Sequence, residues 1–336
     1  MDKQIVFTKV NTAELLDVES QTLGENQVRV KTMFSTISNG TEKANISGDA
    51  NVSLGAAATV FPRYCGYSTS GVVVEKGDNV TSLEIGDRVC MYWSTHRTYN
   101  VLDEKNVIKI ESDNIGFAEA SIVHIATFPL AAIRKTKVEI GESAIVMGLG
   151  TLGLLATGLL RAAGAVPVIA VDPVKERREK ALKFGADYAF DPTDADFLKK
   201  VREVSGGGVN VAIEVTGLGV GLNQVLDCMA RFGRVALLGC TRNKEFNVDY
   251  YRKVHGPGIS LIGAHTLARP EIESSHGMFT TRDDIKALLK LCANGRLDLK
   301  SLIDEIHSPL ECGEVFTRLV TEKNFPTVVQ FDWERL

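Results

Sequence analysis

The chain has 336 residues, of which 44% are hydrophobic and 24% are charged, and its formal net charge is −4 at pH 7. This length suffices for two domains with buried cores, and the acidic balance argues against a nucleic-acid partner. No stretch approaches the roughly 20 apolar residues of a membrane span, and the N-terminus lacks the apolar centre of a signal peptide, so we expect a cytoplasmic protein with no membrane partner.

The first third of the chain has the pattern of short β-strands. Alternating apolar residues predict strands at residues 4–10, 27–33, 71–74, 87–92 and 99–101, separated by Gly, Asn and Asp turns. These strands are typical of a small, partly closed barrel. Between residues 116 and 137 the apolar period becomes that of a helix, which we expect to bend or end near Pro129.

From residue 143 onward, strand and helix patterns alternate. Strands are predicted at residues 144–147, 166–171, 188–190, 209–214, 234–239 and 259–263, with helices such as 176–184, 195–204 and 222–231 between them. This alternation predicts a doubly wound parallel sheet with right-handed crossovers. The tail, with helices at 282–293 and 311–322 and a strand at 327–331, is expected to return to the first domain.

A glycine-rich turn follows the first strand of that sheet. In Gly148-Leu149-Gly150-Thr151-Leu152-Gly153, the first glycine permits the tight turn, the second lets the backbone approach a pyrophosphate, and the third lets the helix pack on the strand. Asp172 ends the second strand, near the spacing expected for an acid that bonds the adenosine ribose. A carboxylate there repels the extra phosphate of NADP, which favours NAD. Lys175, Arg177 and Arg178 are expected to form a solvated helix face rather than a phosphate site.

Three stretches carry a family resemblance: VEKGDNVTSLEIGDRV, SAIVMGLGTLG and AVDPVKERREKALKFGAD. With the β-rich first third and the returning tail, the whole chain resembles the medium-chain dehydrogenase/reductase superfamily, and its glycine turn is similar to that of the alcohol and polyol dehydrogenase branch. The resemblance implies an α/β fold with a GroES-like catalytic domain at residues 1–120 and 270–336. It also implies a Rossmann NAD-binding domain at residues 121–269, with the active site in the cleft between the two.

The residues that would bind zinc differ from those of zinc-dependent members. Where those members have a catalytic cysteine, this chain has Ser38. Tyr67 and Ser68 stand in place of the histidine and glutamate of the family's GHE motif, and His124 aligns with the third zinc ligand. The structural zinc lobe is absent around Cys90, and no CxxC pair occurs. We therefore predict no metal. The segment SNGTE, residues 38–42, resembles the zinc-free branch that includes bacteriochlorophyllide dehydrogenase.

Alcohol oxidation without zinc still requires a base for the hydroxyl proton and a hydrogen-bonding partner for the substrate oxygen. The catalytic candidates are His124, Tyr67 and Ser38, and the sequence leaves open whether His124 or Tyr67 is the acid/base. The substrate candidates are Tyr92, Trp93 and His96, whose rings suit a sugar, cyclitol or related polyol; Tyr92 and Trp93 could equally be barrel packing.

Further cofactor contacts are carried over from the resemblance to the ends of the parallel strands. They are Thr216, Gly217, Leu238, Gly239, Cys240 and His265. Because the last strand is expected at the edge of the sheet, we also predict a homodimer or homotetramer.

Three functions remain open at this point. The leading hypothesis is a zinc-independent, NAD-dependent dehydrogenase that acts on the secondary alcohol of a small-molecule substrate. The second is an NAD(P)H-dependent reductase of an activated C=C bond, in which Tyr67 or His124 protonates the carbon. The third is a nucleotide-sensing protein that has kept the fold without the chemistry.

Overall fold

The computed structural model describes residues 1–49, 59–241, 243 and 245–336. These residues group into two units, of which one is Met1–Ile125 with Ile285–Leu336 and the other is Ala126–Asp284. In the described part of the chain, no helix has the length and apolar character needed to span a membrane. The six cysteines form no disulfide.

The first unit is built mainly from antiparallel strands. Its strands are β1 (Asp2–Lys9), β2 (Thr12–Val18), β3 (Gln27–Thr36), β4 (Arg63–Tyr64), β5 (Ser68–Lys76), β6 (Arg88–Tyr92), β7 (Tyr99–Asp103), β8 (Val107–Lys109), β15 (Glu305–His307) and β16 (Val329–Asp332). Its helices are α1 (Asn39–Ile46), α2 (Phe117–Ala120) and α9 (Cys312–Thr321), while α3 (Val123–Thr136) and α8 (Thr281–Ala293) each belong partly to both units.

These strands form two sheets. The larger has the order β15-β16-β3-β5-β6-β8, with β7 also paired to β3, and the smaller has the order β2-β1-β4. The C-terminal strand β16 pairs antiparallel with β3, which confirms that the tail returns to the first domain. Phe7, Phe316 and Phe331 are fully buried and lie in one core cluster beside the small sheet.

The second unit contains the parallel sheet. Its strands are β9 (Ala144–Met147), β10 (Val168–Val171), β11 (Tyr188–Phe190), β12 (Val209–Glu214), β13 (Met229–Leu237) and β14 (Ser260–Gly263), and its remaining helices are α4 (Thr151–Ala162), α5 (Lys175–Phe184), α6 (Phe197–Val204) and α7 (Gly219–Cys228). The order β11-β10-β9-β12-β13-β14, parallel throughout, is that of a dinucleotide-binding fold. The predicted fold class is confirmed, and β14 lies at the sheet edge; subunit pairing there stays a prediction.

Some predicted elements were wrong. The helix expected at residues 222–231 occupies Gly219–Cys228, and strand β13 begins at Met229. Phe232, with φ of +63°, has a backbone conformation that no right-handed helix contains, so the helix cannot extend into that segment. Of the two alternatives for Pro129, an end of the helix is excluded, because α3 runs through Pro129 to Thr136; a bend there stays a prediction. The buried side chains on either side, including Ile125 and Ala132, offset the lost backbone hydrogen bond.

Candidate functional site

The three predicted catalytic residues meet in the first unit. Ser38 precedes α1, Tyr67 precedes β5, and His124 lies in the first turn of α3. The Tyr67 hydroxyl donates a short hydrogen bond to Ser38 Oγ. The Tyr67 carbonyl oxygen lies 2.8 Å from His124 Nδ1. Chain segments far apart in sequence therefore bring two hydroxyls and one imidazole together.

The hydrogen bond to Tyr67 fixes the tautomer of His124. A backbone carbonyl only accepts hydrogen bonds, so Nδ1 carries the proton and the neutral ring keeps its lone pair on Nε2. The ring is 2% exposed and lies edge-on to Tyr67 and Trp93, with ring centroids 5.4 and 4.8 Å away. Nε2 of His124 can therefore accept a proton, while Nδ1–H donates a hydrogen bond to the Tyr67 carbonyl oxygen.

The three predicted substrate residues differ in accessibility. Trp93 is 41% exposed and has φ of +59°, a strained backbone conformation for a bulky residue. Tyr92 is buried, and its hydroxyl donates to the Lys105 carbonyl at 2.7 Å. His96 is fully buried against Glu42. The structure therefore brings Trp93 beside Tyr67 and His124 at an exposed position, whereas His96 belongs to a different, enclosed cluster.

The donor set at Ser38, Tyr67 and His124 does not fit a catalytic zinc ion. Zinc in proteins takes Cys, His and carboxylate ligands, and only His124 is of that kind. The two hydroxyls bond to each other instead. These three positions therefore lack the set of ligands that a catalytic zinc ion requires.

A second cluster contains residues of the type that bind metals. Glu42, Cys65 and His96 are buried, and one ligand atom of each lies within 4.8 Å of the others. Sequence reasoning missed Glu42 and Cys65, although Glu42 lies in the SNGTE segment. From the sequence, a glutamate in a polar helix is expected at the surface. The partner that pairs with Glu42 in the interior, His96, is 54 positions away and gives no local signal.

In the second unit, the glycine turn has the geometry of a pyrophosphate cradle. Gly148 has φ of +96°, and a Cβ atom at Gly153 would lie 1.8 Å from the Gly148 carbonyl oxygen, so neither position tolerates a side chain. A Cβ at Gly150 would meet no atom of the chain within 4 Å. Helix α4 begins at Thr151, so the positive end of the helix dipole lies at this turn. Open space before a helix N-terminus fits a bound pyrophosphate.

Asp172 holds this turn from the next strand. Its Oδ2 accepts the Leu149 N–H and its Oδ1 accepts the Val174 N–H, each at 2.8 Å. Arg178 donates to the Asp172 carbonyl and to Asp191, and Arg177 lies 3.8 Å from the Asp172 carboxylate. The expected solvated face therefore holds only for Lys175; the two arginines turn toward Asp172 and Asp191.

The turns after β12 and β13 pack against each other. Buried Glu214 accepts the N–H groups of Thr216 and Gly217, and its carbonyl accepts those of Leu238 and Gly239. Burial raises the pKa of the Glu214 carboxyl above its usual value. A Cβ at Gly217 would lie 2.6 Å from the carbonyl oxygen of Cys240, the neighbouring exposed cysteine. These predicted cofactor residues therefore lie side by side at the carboxyl ends of adjacent parallel strands.

His265 follows β14 in the same unit. The Leu267 N–H donates to its Nδ1 at 3.2 Å, so a neutral ring carries its proton on Nε2. Burial, and then the charge of Lys135, lower the pKa of His265. Both effects favour the neutral imidazole, whose Nε2–H is a hydrogen-bond donor.

Comparisons with known proteins agree with this architecture. The family described as "Alcohol dehydrogenase GroES-like domain" matches residues 24–133, and the family described as "Zinc-binding dehydrogenase" matches residues 151–292. The chain is 31% identical to (R,R)-butanediol dehydrogenase of Bacillus subtilis over 268 residues, which cover 72% of each protein. It is 25% identical to D-guloside 3-dehydrogenase of Escherichia coli K12 over 327 residues, 90% of this chain and 92% of that one.

A solved structure has the same fold over the whole length. It is an alcohol dehydrogenase from E. coli CFT073 complexed with NADH, with a TM-score of 0.83, 18% identity and 99% of each chain covered. The two matched family regions, the 31% identical relative and the shared fold point to one origin. The chain is therefore a member of the medium-chain dehydrogenase/reductase superfamily, an oxidoreductase of its alcohol and polyol dehydrogenase-like group.

Proposed function

We propose that this chain is an NAD-dependent dehydrogenase that oxidises a secondary alcohol of a sugar, cyclitol or polyol without catalytic zinc. The observation that carries the proposal is the hydrogen bond between the Tyr67 and Ser38 hydroxyls, with His124 bonded to the Tyr67 carbonyl. These residues occupy the positions where the resemblance puts zinc ligands. These groups can hydrogen-bond a substrate oxygen and take its proton, which is what an alcohol dehydrogenase needs in place of a metal.

The proton would be taken by Tyr67 or by His124. Tyr67 is half-buried, so its hydroxyl is the more accessible to a substrate, and Ser38 Oγ orients it. His124 is almost fully enclosed, and its Nδ1–H holds the Tyr67 backbone. We therefore assign the base to Tyr67, which would take the substrate proton in its phenolate form while Ser38 Oγ–H donates to the phenolate oxygen, and we give His124 the role of fixing Tyr67 in place. NAD, when bound, supplies the hydride acceptor.

Two observations support the cofactor assignment. The open space at Gly150 and the helix N-terminus behind it fit a dinucleotide pyrophosphate, and the similar E. coli structure is complexed with NADH. The choice of NAD over NADP depends on Asp172 alone, because its carboxylate would accept ribose hydroxyls and repel a phosphate.

The substrate class follows from the relatives and from Trp93. The names of the similar proteins specify a butanediol and a guloside, both of which have secondary alcohols. Exposed Trp93 lies with its ring centroid 5.9 Å from that of Tyr67 and offers an apolar face against which a sugar or cyclitol ring can lie.

The test is NADH formation over a panel of sugars, cyclitols and aliphatic secondary alcohols, with a chelator present. We expect chelator-resistant oxidation of at least one cyclic polyol. Chelator-sensitive turnover restored by zinc would contradict the zinc-free mechanism. If only enones are turned over, with NADH consumed, the protein is instead a C=C reductase.

Replacing Asp172 by serine should change the cofactor preference. The carboxylate that repels the NADP phosphate is removed, while Arg177 and Arg178 remain near that position. We expect the ratio of kcat/KM for NAD to kcat/KM for NADP to fall by about tenfold or more. We also expect some loss of stability, because the N–H groups of Leu149 and Val174 lose their carboxylate acceptor. Lys175→Ala is the matched control, since exposed Lys175 pairs with Glu179 and, among the described residues, with no other carboxylate. An unchanged ratio would show that Asp172 does not select the cofactor.

A further inference from the structure

Ser38 does not make the contacts of an ordinary helix N-cap. It precedes helix α1, but its side chain makes no capping hydrogen bond. A serine in this position normally accepts an N–H of the first helical turn. Here Ser38 Oγ accepts the Tyr67 hydroxyl instead. Some other group must therefore hold Ser38 in place.

Glu42 is that group. Its side chain is 1% exposed, and its Oε1 accepts the Ser38 N–H at 2.8 Å. Its own N–H donates to the Ser38 carbonyl, also at 2.8 Å. One residue thus fixes both backbone polar groups of Ser38, in a reciprocal arrangement like that of a capping box. Ser38 Oγ is thereby left for Tyr67.

His96 connects Glu42 to the segment before Tyr67. Its Nε2 lies 3.0 Å from Glu42 Oε2, and its backbone N–H donates to the Cys65 carbonyl at 3.0 Å. The ring also packs tightly on Gly66, where a Cβ atom would lie 2.7 Å from the imidazole. Hydrogen bonds and packing therefore connect Ser38, through Glu42 and His96, to the residues that precede Tyr67. The hydrogen bond from the Tyr67 hydroxyl to Ser38 Oγ joins the two ends of this series of contacts.

We infer that Glu42 and His96 are positioning residues that aim the Tyr67–Ser38 hydroxyl pair at the substrate oxygen. This inference rests on the proposed function. When the Glu42 carboxylate is lost, the Ser38 N–H loses its acceptor and Ser38 Oγ becomes free to cap α1. Tyr67 then loses the partner that orients its hydroxyl, so the transfer of the substrate proton slows while cofactor binding is unaffected.

The same residues could in principle hold a metal with Cys65, but their contacts favour a metal-free pair. A metal-bound histidine usually donates its other ring N–H to a partner, and in the described residues the buried His96 Nδ1 has no hydrogen-bond partner. The Cys65 thiol donates to the Ile5 carbonyl at 3.5 Å. Burial, and then the nearby Glu42, raise the pKa of that thiol.

A double-mutant cycle tests the inference. We expect Glu42→Leu, which removes the acceptor of the Ser38 N–H, to lower kcat by about tenfold with little change in the KM for NAD, and to cause less than about a twofold further loss in a Tyr67→Phe background. Coupling of this kind is expected only if Glu42 acts through Tyr67. Equal factors in the two backgrounds would overturn the inference, because a merely structural role gives additive effects.

His96 provides a second comparison that does not depend on Glu42 variants folding. In His96→Gln the amide nitrogen can still donate to Glu42, so we expect the rate to stay within about threefold of the wild type. In His96→Leu, which fills the space but has no donor, we expect a loss as large as that of Glu42→Leu. If the two variants have equal rates, the hydrogen bond to Glu42 does not position the site.

Two readouts are independent of turnover. Hydrogen exchange at the Ser38 amide should be faster in Glu42→Leu than in the wild type, while exchange at the amides of β9 in the second unit stays the same. Unchanged exchange at Ser38 would overturn the inference. If exchange changes but no alcohol is oxidised, positioning by Glu42 stands and the proposed function fails. If the wild-type protein binds one equivalent of zinc and the Cys65→Ser variant binds none, the inference that Glu42 and His96 form a metal-free pair is overturned.

Discussion

Gly150→Ala is expected to weaken dinucleotide binding without harming the fold. The new methyl group meets no atom of the chain within 4 Å, and the backbone φ of −70° suits alanine. Stability should be unchanged or higher by about 0.4–1 kcal/mol. The methyl group occupies the space proposed for the pyrophosphate, so we expect the NADH Kd to rise by about tenfold or more, equivalent to ~1.4 kcal/mol. Calorimetric titration with NADH and thermal unfolding measure the two effects.

Two other glycines serve as controls. At Gly153 a Cβ would lie 1.8 Å from the Gly148 carbonyl oxygen, so Gly153→Ala should cost about 3 kcal/mol or more by overpacking. Gly40→Ala places a methyl in open space within helix α1 and should leave NADH affinity unchanged. A folded Gly150→Ala protein with wild-type NADH affinity would mean that the pyrophosphate does not lie at this turn.

Tyr67→Phe should have the largest effect on turnover. The ring keeps its neighbours Trp93 and His124, so we expect a folded protein. The hydroxyl that bonds Ser38, and that we assign to the substrate proton, is removed. Loss of a general acid/base lowers kcat by about 10²- to 10⁴-fold. Steady-state kinetics with the best alcohol of the panel measure this loss, and the KM for NAD should stay near that of the wild type.

Tyr92→Phe is a matched control for that experiment. It removes a hydroxyl of the same type, but one that bonds the Lys105 carbonyl. We expect kcat within about threefold of the wild type, because the hydrogen bond from this hydroxyl to Lys105 goes to a backbone carbonyl. Near-normal turnover in Tyr67→Phe, together with inactive His124→Asn, would move the base to His124 Nε2.

The second unit was predictable from the sequence because its signals are local. The glycine turn, the apolar strands and the intervening helices each occupy one short stretch, and their alternation dictates a parallel sheet. Ser38, Tyr67 and His124 could be brought together only through the family resemblance, since the three lie on separate elements.

The Glu42–His96 pair could not be found in the same way. Nothing near Glu42 in the sequence distinguishes a buried carboxylate from one on a solvated helix, and helix α1 itself was not predicted. The strands β2, β4, β8 and β15 were missed because they are short or carry few apolar residues. Their positions are set by partners distant in sequence, such as β1 for β2 and β16 for β15.

The pairing of β16 with β3 has a consequence for how the chain folds during synthesis. Gln330 on β16 donates to Thr36 at the end of β3, a partner 294 residues earlier. The second unit is one continuous segment, so all of its sheet partners have been made before β16 is made. The sheet of the first unit lacks β16 until residues 329–332 have left the ribosome, and contacts of such long sequence separation form slowly. In the nascent chain, the edge of β3 that β16 covers thus stays open longest and is the place where a chaperone or an aggregating neighbour would bind.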